Sequence, residues 1–443
     1  MKIITTTLLS LSLALSSLAQ TPQASSSAAP SLDAVAGIYT TQPGAFISLA
    51  IFDPGDNENH LLFTDLTSGA IRILAPGSDN TFAAGPALFV PSPIEMQLTF
   101  QRNANGEATS VVMRKEKAPE ETAKRVACDR REITFRNGDV SLAGTVTMPA
   151  DGKRHPGVVM LHGSGPLNRY SFGPFPDFFV SRGFAVLVYD KRGTGQSKGN
   201  LDAATLKDLA ADGKAAIDFL NTYENIEPGK IGLCGTSQGG FLAAAVAAEN
   251  SSVAFIVNLY GMYVPVWQQE LYRTEAELRA EQASDSEIAE ALAFVKKEFE
   301  VGTTGAGWES LSTTIQQSKE KKWWRHVTKS DSLDELRHYW DTLYSVDPSL
   351  PLQKVTCPVL ALFGELDTST PVTDSINNMR EALATAHNSN FTSHVFPKAG
   401  HGLLEVNSGA SSEIPKSKRL APNLWPTMDG WLQKIARGKK SDQ

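Results

Sequence analysis

From Ile231 to Phe241 the chain reads Ile-Gly-Leu-Cys-Gly-Thr-Ser-Gln-Gly-Gly-Phe, an apolar run meeting a glycine-flanked serine and then an alanine-rich stretch to Glu249. No other segment constrains the fold as tightly. A strand that turns sharply into a helix around Gly235-Thr236-Ser237-Gln238-Gly239 lifts the serine hydroxyl above a sheet, and side chains at the flanking glycines would obstruct the turn. The helix that follows aims free N–H groups at the same point. Ser237 is therefore expected to be a nucleophile. A second match, Gly195-Gln196-Ser197-Lys198-Gly199, lacks both the strand before it and the small-residue helix after it, so Ser197 is read as a loop residue.

A serine nucleophile needs a base, a group to orient that base, and donors for the oxyanion. Among eight histidines, His401 in Gly400-His401-Gly402 follows the last apolar strand on a loop able to reach back to the sheet. His60, His155, His326, His338 and His387 lie in polar contexts or in an inserted region, and His394 lies inside a strand. The carboxylate is expected at Asp367, in Phe363-Gly364-Glu365-Leu366-Asp367, with Glu365 and Asp374 as rivals. Two oxyanion donors are expected. One is the backbone N–H of Gln238, and the other is that of Ser164 in the loop His162-Gly163-Ser164-Gly165-Pro166.

These elements occur in the order Ser237, Asp367, His401, and from about residue 130 to 436 the chain resembles the α/β-hydrolases. Within them it is similar to secreted carboxylesterases and to serine peptidases of the S9 and S33 kind that carry His-Gly-Ser-Gly-Pro loops. Asp190-Lys191-Arg192-Gly193-Thr194-Gly195-Gln196-Ser197 matches a structural loop of that superfamily. The resemblance implies acyl transfer through a covalent intermediate on Ser237, with no cofactor and no metal. A small-molecule ester is the expected substrate. A serine peptidase of the prolyl-oligopeptidase or aminopeptidase type is the alternative, for which Glu270, Glu275 and Glu277 are available to hold a substrate ammonium. A third reading is a ligand-binding protein with a vestigial triad.

The expected architecture is α/β: a mostly parallel sheet with flanking helices and a helical cap insertion, plus a small N-terminal mostly-β domain. Apolar runs at Gly157–Leu161, Phe184–Tyr189, Ile231–Cys234, Phe255–Tyr260, Val359–Phe363 and His394–Phe396 are the sheet strands. The cap is placed at about 262–350, where about ninety residues replace a single crossover. It holds five of the seven tryptophans, Trp267, Trp308, Trp323, Trp324 and Trp340. Most are expected to pack the cap and a minority to line the acyl pocket. The β domain is placed at 37–117, where Ile94, Met96, Leu98 and Phe100 alternate with polar residues and Asn105-Gly106 marks a hairpin. Its Gly37-Ile38-Tyr39 opening and late Asn-Gly turn resemble the lipocalin-like β modules beside secreted serine hydrolases. Residues 118–129, charged and containing Pro119, are read as a linker.

At the start, Lys2 precedes an apolar stretch and small residues at Ser17 and Ala19, the pattern of a signal peptide over 1–19 cut before Gln20. A flexible leader over 20–36 follows. Export to the periplasm or beyond is expected, with no stable membrane span. The net charge of -7 and pI near 5.7 argue against a nucleic-acid partner. Three cysteines give no disulfide framework.

Overall fold

The computed structural model describes residues 31–437 apart from 57, 79 and 117; the expected signal peptide and residues 20–30 of the leader lie outside the described residues. Short apolar stretches broken by turns form eight antiparallel strands, β1 (Gly37–Gln42), β2 (Ala45–Phe52), β3 (His60–Asp65), β4 (Ile71–Pro76), β5 (Thr81–Ala84), β6 (Met96–Arg102), β7 (Ala108–Lys115) and β8 (Glu121–Arg125). They close in sequence order into a barrel. Its interior is filled by side chains such as Leu49, Leu98, Val111 and Met113, all fully buried, so it is a packed core and not a cup. Before it, α1 (Leu32–Val35) seats Val35 in that core, and Val35 O accepts from the Tyr39 hydroxyl at 2.7 Å.

Three expectations change here. The supposed linker 118–129 contains β8, whose Ala123 is buried and which closes the barrel on β1 and β7, and also the start of β9. Charge hid it, because only one residue of β8 faces inward. The end of the expected leader is structured for the same reason, through buried Val35. The alternating strand begins at Met96, leaving Ile94 outside it and 64% exposed.

Next come β9 (Cys128–Asn137), β10 (Val140–Pro149), β11 (His155–Leu161), α2 (Phe175–Ser181), β12 (Ala185–Tyr189), α3 (Leu206–Leu220), β13 (Ile226–Thr236), α4 (Gln238–Glu249) and β14 (Ile256–Leu259). The sheet resumes after the cap with β15 (Val359–Gly364), α9 (Val372–Thr385), β16 (Phe391–Phe396) and α10 (Leu424–Arg437), the cap supplying α5 (Val266–Ala280), α6 (Asp285–Thr304), α7 (Trp308–Ser318) and α8 (Leu333–Tyr339). The eight strands lie in the order β16-β15-β14-β13-β11-β12-β10-β9. β10 pairs antiparallel with β9 and with β12, and β11 through β16 run parallel. This is the α/β-hydrolase architecture, with a cap inserted after β14. No helix among the described residues is long and apolar enough to cross a membrane.

Four of the five cap tryptophans pack into the cap's apolar cluster, while Trp267 is 40% exposed. Trp323 is buried against Phe294, and Trp340 lies against Phe299. Contrary to expectation, none of the five lines the cavities that reach Ser237. The barrel is bound to the body by one shared apolar cluster, in which Ile38, Leu62, Ile71 and Leu88 meet Phe172, Phe178 and Trp425. Backbone bonds continue the join, from Leu420 N to Gly69 O at 2.8 Å and from Leu88 N to Ser417 O at 2.8 Å.

Candidate active site

In a parallel sheet every strand carboxyl end opens on the same edge, where loops from several strands converge. The loops after β11, β13, β15 and β16 carry Ser164, Ser237, Asp367 and His401 to that edge. Ser237 has φ 50° and ψ −118°, a backbone strain that turns its hydroxyl outward just before α4. The turn is only possible with glycine on both sides. A Cβ on Gly235 would lie 2.0 Å from Gly239 O, and one on Gly239 would lie 2.1 Å from Leu161 O.

His401 Nε2 stands 3.2 Å from Ser237 Oγ. Its Nδ1 lies 2.9 and 3.0 Å from the Asp367 carboxylate oxygens. Asp367 is 2% exposed, and its Oδ1 also accepts from Ser369 N and Thr370 N, both at 2.8 Å. A buried carboxylate so held can accept from His401 Nδ1–H and leave Nε2 free to take a proton from the serine. The rivals are occupied elsewhere: Glu365 accepts from Lys398 N, and Asp374 lies in the first turn of α9. Ser197 is 7% exposed, donating to Asp190 O and accepting from Ala143 N. His155, expected in a polar surface context, is buried at the start of β11 and bonded to Gly183 O and Asp151.

Ser164 and Gln238 border the same space as Ser237 and His401. Among the described residues neither backbone N–H has a hydrogen-bond acceptor, which leaves both available to an oxyanion. Lys191, which sequence reasoning placed only in a structural loop, is 3% exposed behind them. Its Nζ donates to Gly163 O at 2.6 Å, Gly165 O at 3.1 Å and Gln238 Oε1 at 3.2 Å, tying the two donor segments together. Burial pulls this ammonium down to about 7, against acceptors that each need one of its N–H groups. His162, in the same loop, is pushed down to about 3 by burial and then by Lys191, so its ring is neutral against Phe172 and Tyr189.

The cap braces the acid loop from above. From α5, Gln269 donates to Ser369 O and the Tyr272 hydroxyl to Asp367 O, each at 2.8 Å, while Glu277 accepts from the Thr368 hydroxyl at 2.8 Å. Of the carboxylates considered for a substrate ammonium, only Glu270 lines the space beside Ser237. Both its oxygens are engaged, by Arg273 Nη2 at 2.6 Å and Nε at 3.1 Å and by the Thr328 hydroxyl at 2.9 Å. Glu275 pairs with Arg279 near the surface, and Glu277 is bonded to Thr368 and Ser411. Two groups, Asp56-Glu58-His60 and Glu277-Glu281-His326, bring three ligand-type atoms within 4.8 Å. In the second, Glu277 is held as described and Glu281 pairs with Arg325 and His326.

A family model described as X-Pro dipeptidyl-peptidase (S15 family) matches residues 68–396. The quorum-quenching protein AidA of Acinetobacter baumannii is 31% identical over 128 residues, 29% of this chain and 42% of that protein. The chain thus spans less than half the length of that relative. The non-heme chloroperoxidase of Burkholderia pyrrocinia is 25% identical over 258 residues, 56% of this chain and 87% of that protein. Among solved structures, an esterase of Pyrococcus furiosus aligns at 18% identity with a TM-score of 0.43, over 70% of this chain and 91% of its own.

Proposed function

We propose that this chain, which belongs to the S15 family of serine hydrolases, is a carboxylesterase cleaving small to medium acyl esters through an acyl-enzyme on Ser237. In this reading His401 Nε2 takes the Ser237 proton as Oγ adds to the ester carbonyl. Asp367 holds the imidazole in the tautomer that can accept, and the N–H groups of Ser164 and Gln238 receive the oxyanion. Collapse expels the alcohol, protonated by His401, and water repeats the sequence on the acyl-enzyme. Export through residues 1–19 belongs to the same proposal.

One observation supports ester over aminopeptidase substrates. An aminopeptidase must pair the substrate ammonium with a carboxylate, and the one carboxylate bordering Ser237 within the cap-side space, Glu270, is already neutralised by buried Arg273. The family's own description favours a peptidase, so the test must include both bonds. Steady-state hydrolysis of p-nitrophenyl acetate, butyrate and octanoate is measured beside amino-acyl and dipeptidyl p-nitroanilides, for wild type and Ser237→Ala. The expected result is ester turnover abolished in the variant and anilides untouched by either. Anilide turnover would replace the esterase reading by a peptidase one, and ester turnover surviving in a folded variant would remove Ser237 from the mechanism.

A further inference from the structure

Two cavities meet at Ser237 and His401, and they differ in size and in chemistry. The one beneath the cap has a volume of about 30 Å³, and its wall carries the Glu270–Arg273 pair. Since about 10–15 Å³ of such space holds one water, it admits a small group and not a long chain. The other has a volume of about 200 Å³ and runs from Ser237 towards the barrel. Its body side is formed by Leu167, Phe172, Leu404 and Ile414, and its barrel side by Phe52, Leu62, Ile71 and Leu88. Asp53, the one charged barrel residue at its edge, is turned to Asn168 Nδ2 at 2.6 Å and to Gly55 N at 2.8 Å. An apolar space of about 150 Å³ lined by such residues is enough for a benzene ring, so this one has room for an alkyl or aryl arm.

We propose that the cavity between barrel and body binds the longer, apolar arm of the substrate, and that Leu62 and Ile71 of the barrel set how long that arm can be. The inference rests on Ser237 being the nucleophile of the preceding section. An ester has two arms diverging from one carbonyl carbon. With that carbon at Ser237, the space under the cap accepts only a short one, so a longer one must enter between barrel and body. The barrel is thereby a wall of the substrate site, although its own interior is filled. The arm is an alkyl or aryl chain, belonging either to the acyl group or to the alcohol.

The test uses the full chain and two series of alkyl fluorophosphonates, one lengthened on phosphorus (the acyl arm) and one on oxygen (the alkoxy arm). Inactivation forms the Ser237 Oγ–P bond and breaks P–F; fluoride leaves and the serine proton goes to His401. Rates should rise by about fourfold per added methylene in one series and then level off, since each methylene leaves water for an apolar wall. The series that rises identifies the arm. Ile71→Phe should move the plateau to shorter chains, and Leu62→Ala to longer ones. A merely destabilised variant would slow every chain length alike. If Ser237 is labelled but neither variant moves the plateau, the cavity does not hold the arm and the hydrolase reading stands. If no reagent of any length labels Ser237, both fall.

Discussion

Lys191 is placed to affect the proposed reaction without touching the substrate. Its three acceptors lie on the two segments that carry the proposed oxyanion donors, so it ties the segments of Ser164 and Gln238 together. Replacing it by methionine keeps length and apolar bulk but removes every donor. Lys191→Met is expected to lower kcat by about 10²-fold, near the effect of losing one oxyanion donor, with KM for butyrate esters little changed. A parallel fall in melting temperature and in both constants would mark it as structural only. The residues expected to act at the centre were readable because each is announced locally: Ser237 by its glycines, Asp367 and His401 by their places just past a strand. Lys191 carries no such announcement, since the groups it joins come from loops separated in sequence and meet only once the sheet is built.

At the scale of elements, the cap is a set of helices whose interior is only partly apolar. Glu298, on α6, is 5% exposed, and its Oε1 has no hydrogen-bond partner among the described residues. Burial first, and then the Glu270 carboxylate, pushes its carboxyl well above the ordinary value of 4.5, with Lys329 pulling the other way. The folded state therefore keeps a proton that the unfolded chain releases above about 4.5, and stability falls as pH rises from there towards the folded pKa. Glu298→Gln cannot ionise, so its melting temperature should exceed that of wild type by more at pH 8 than at pH 4. An equal difference at both values would mean that the carboxyl titrates alike in the two states. The cap's existence was legible from the length and helix-forming composition of residues 262–350. Its use of Gln269, Tyr272 and Glu277 to brace the acid loop was not, because helical periodicity says which face is buried and nothing of what it is buried against.

For the whole molecule the decisive feature is the shared core between barrel and body. Leu420 is 2% exposed in that cluster, and its N–H is bonded to Gly69 O across the join. Barrel and body are expected to unfold in one calorimetric transition, and Leu420→Ala should shift it as a unit, at a cost of about 2–5 kcal/mol. Two separated transitions, with only one moved by the substitution, would show that the modules are energetically independent. A trace of the join was present in the chain. β3 is buried at four successive positions, Leu61 to Thr64, where a strand with one wet face would alternate. The strand–turn–helix around Ser237, the strands of the sheet, the helices of the cap and the loops carrying Asp367 and His401 were each written within short stretches, because each depends on turn geometry or periodicity spanning a few residues. The two-lobed cleft was not. Its barrel-side walls come from residues 52–88, 163–175 and 401–420 and its cap-side walls from 262–344 and 369–370, and apolar burial has no direction or partner preference in sequence. Only the tertiary packing decided which apolar faces would meet over Ser237.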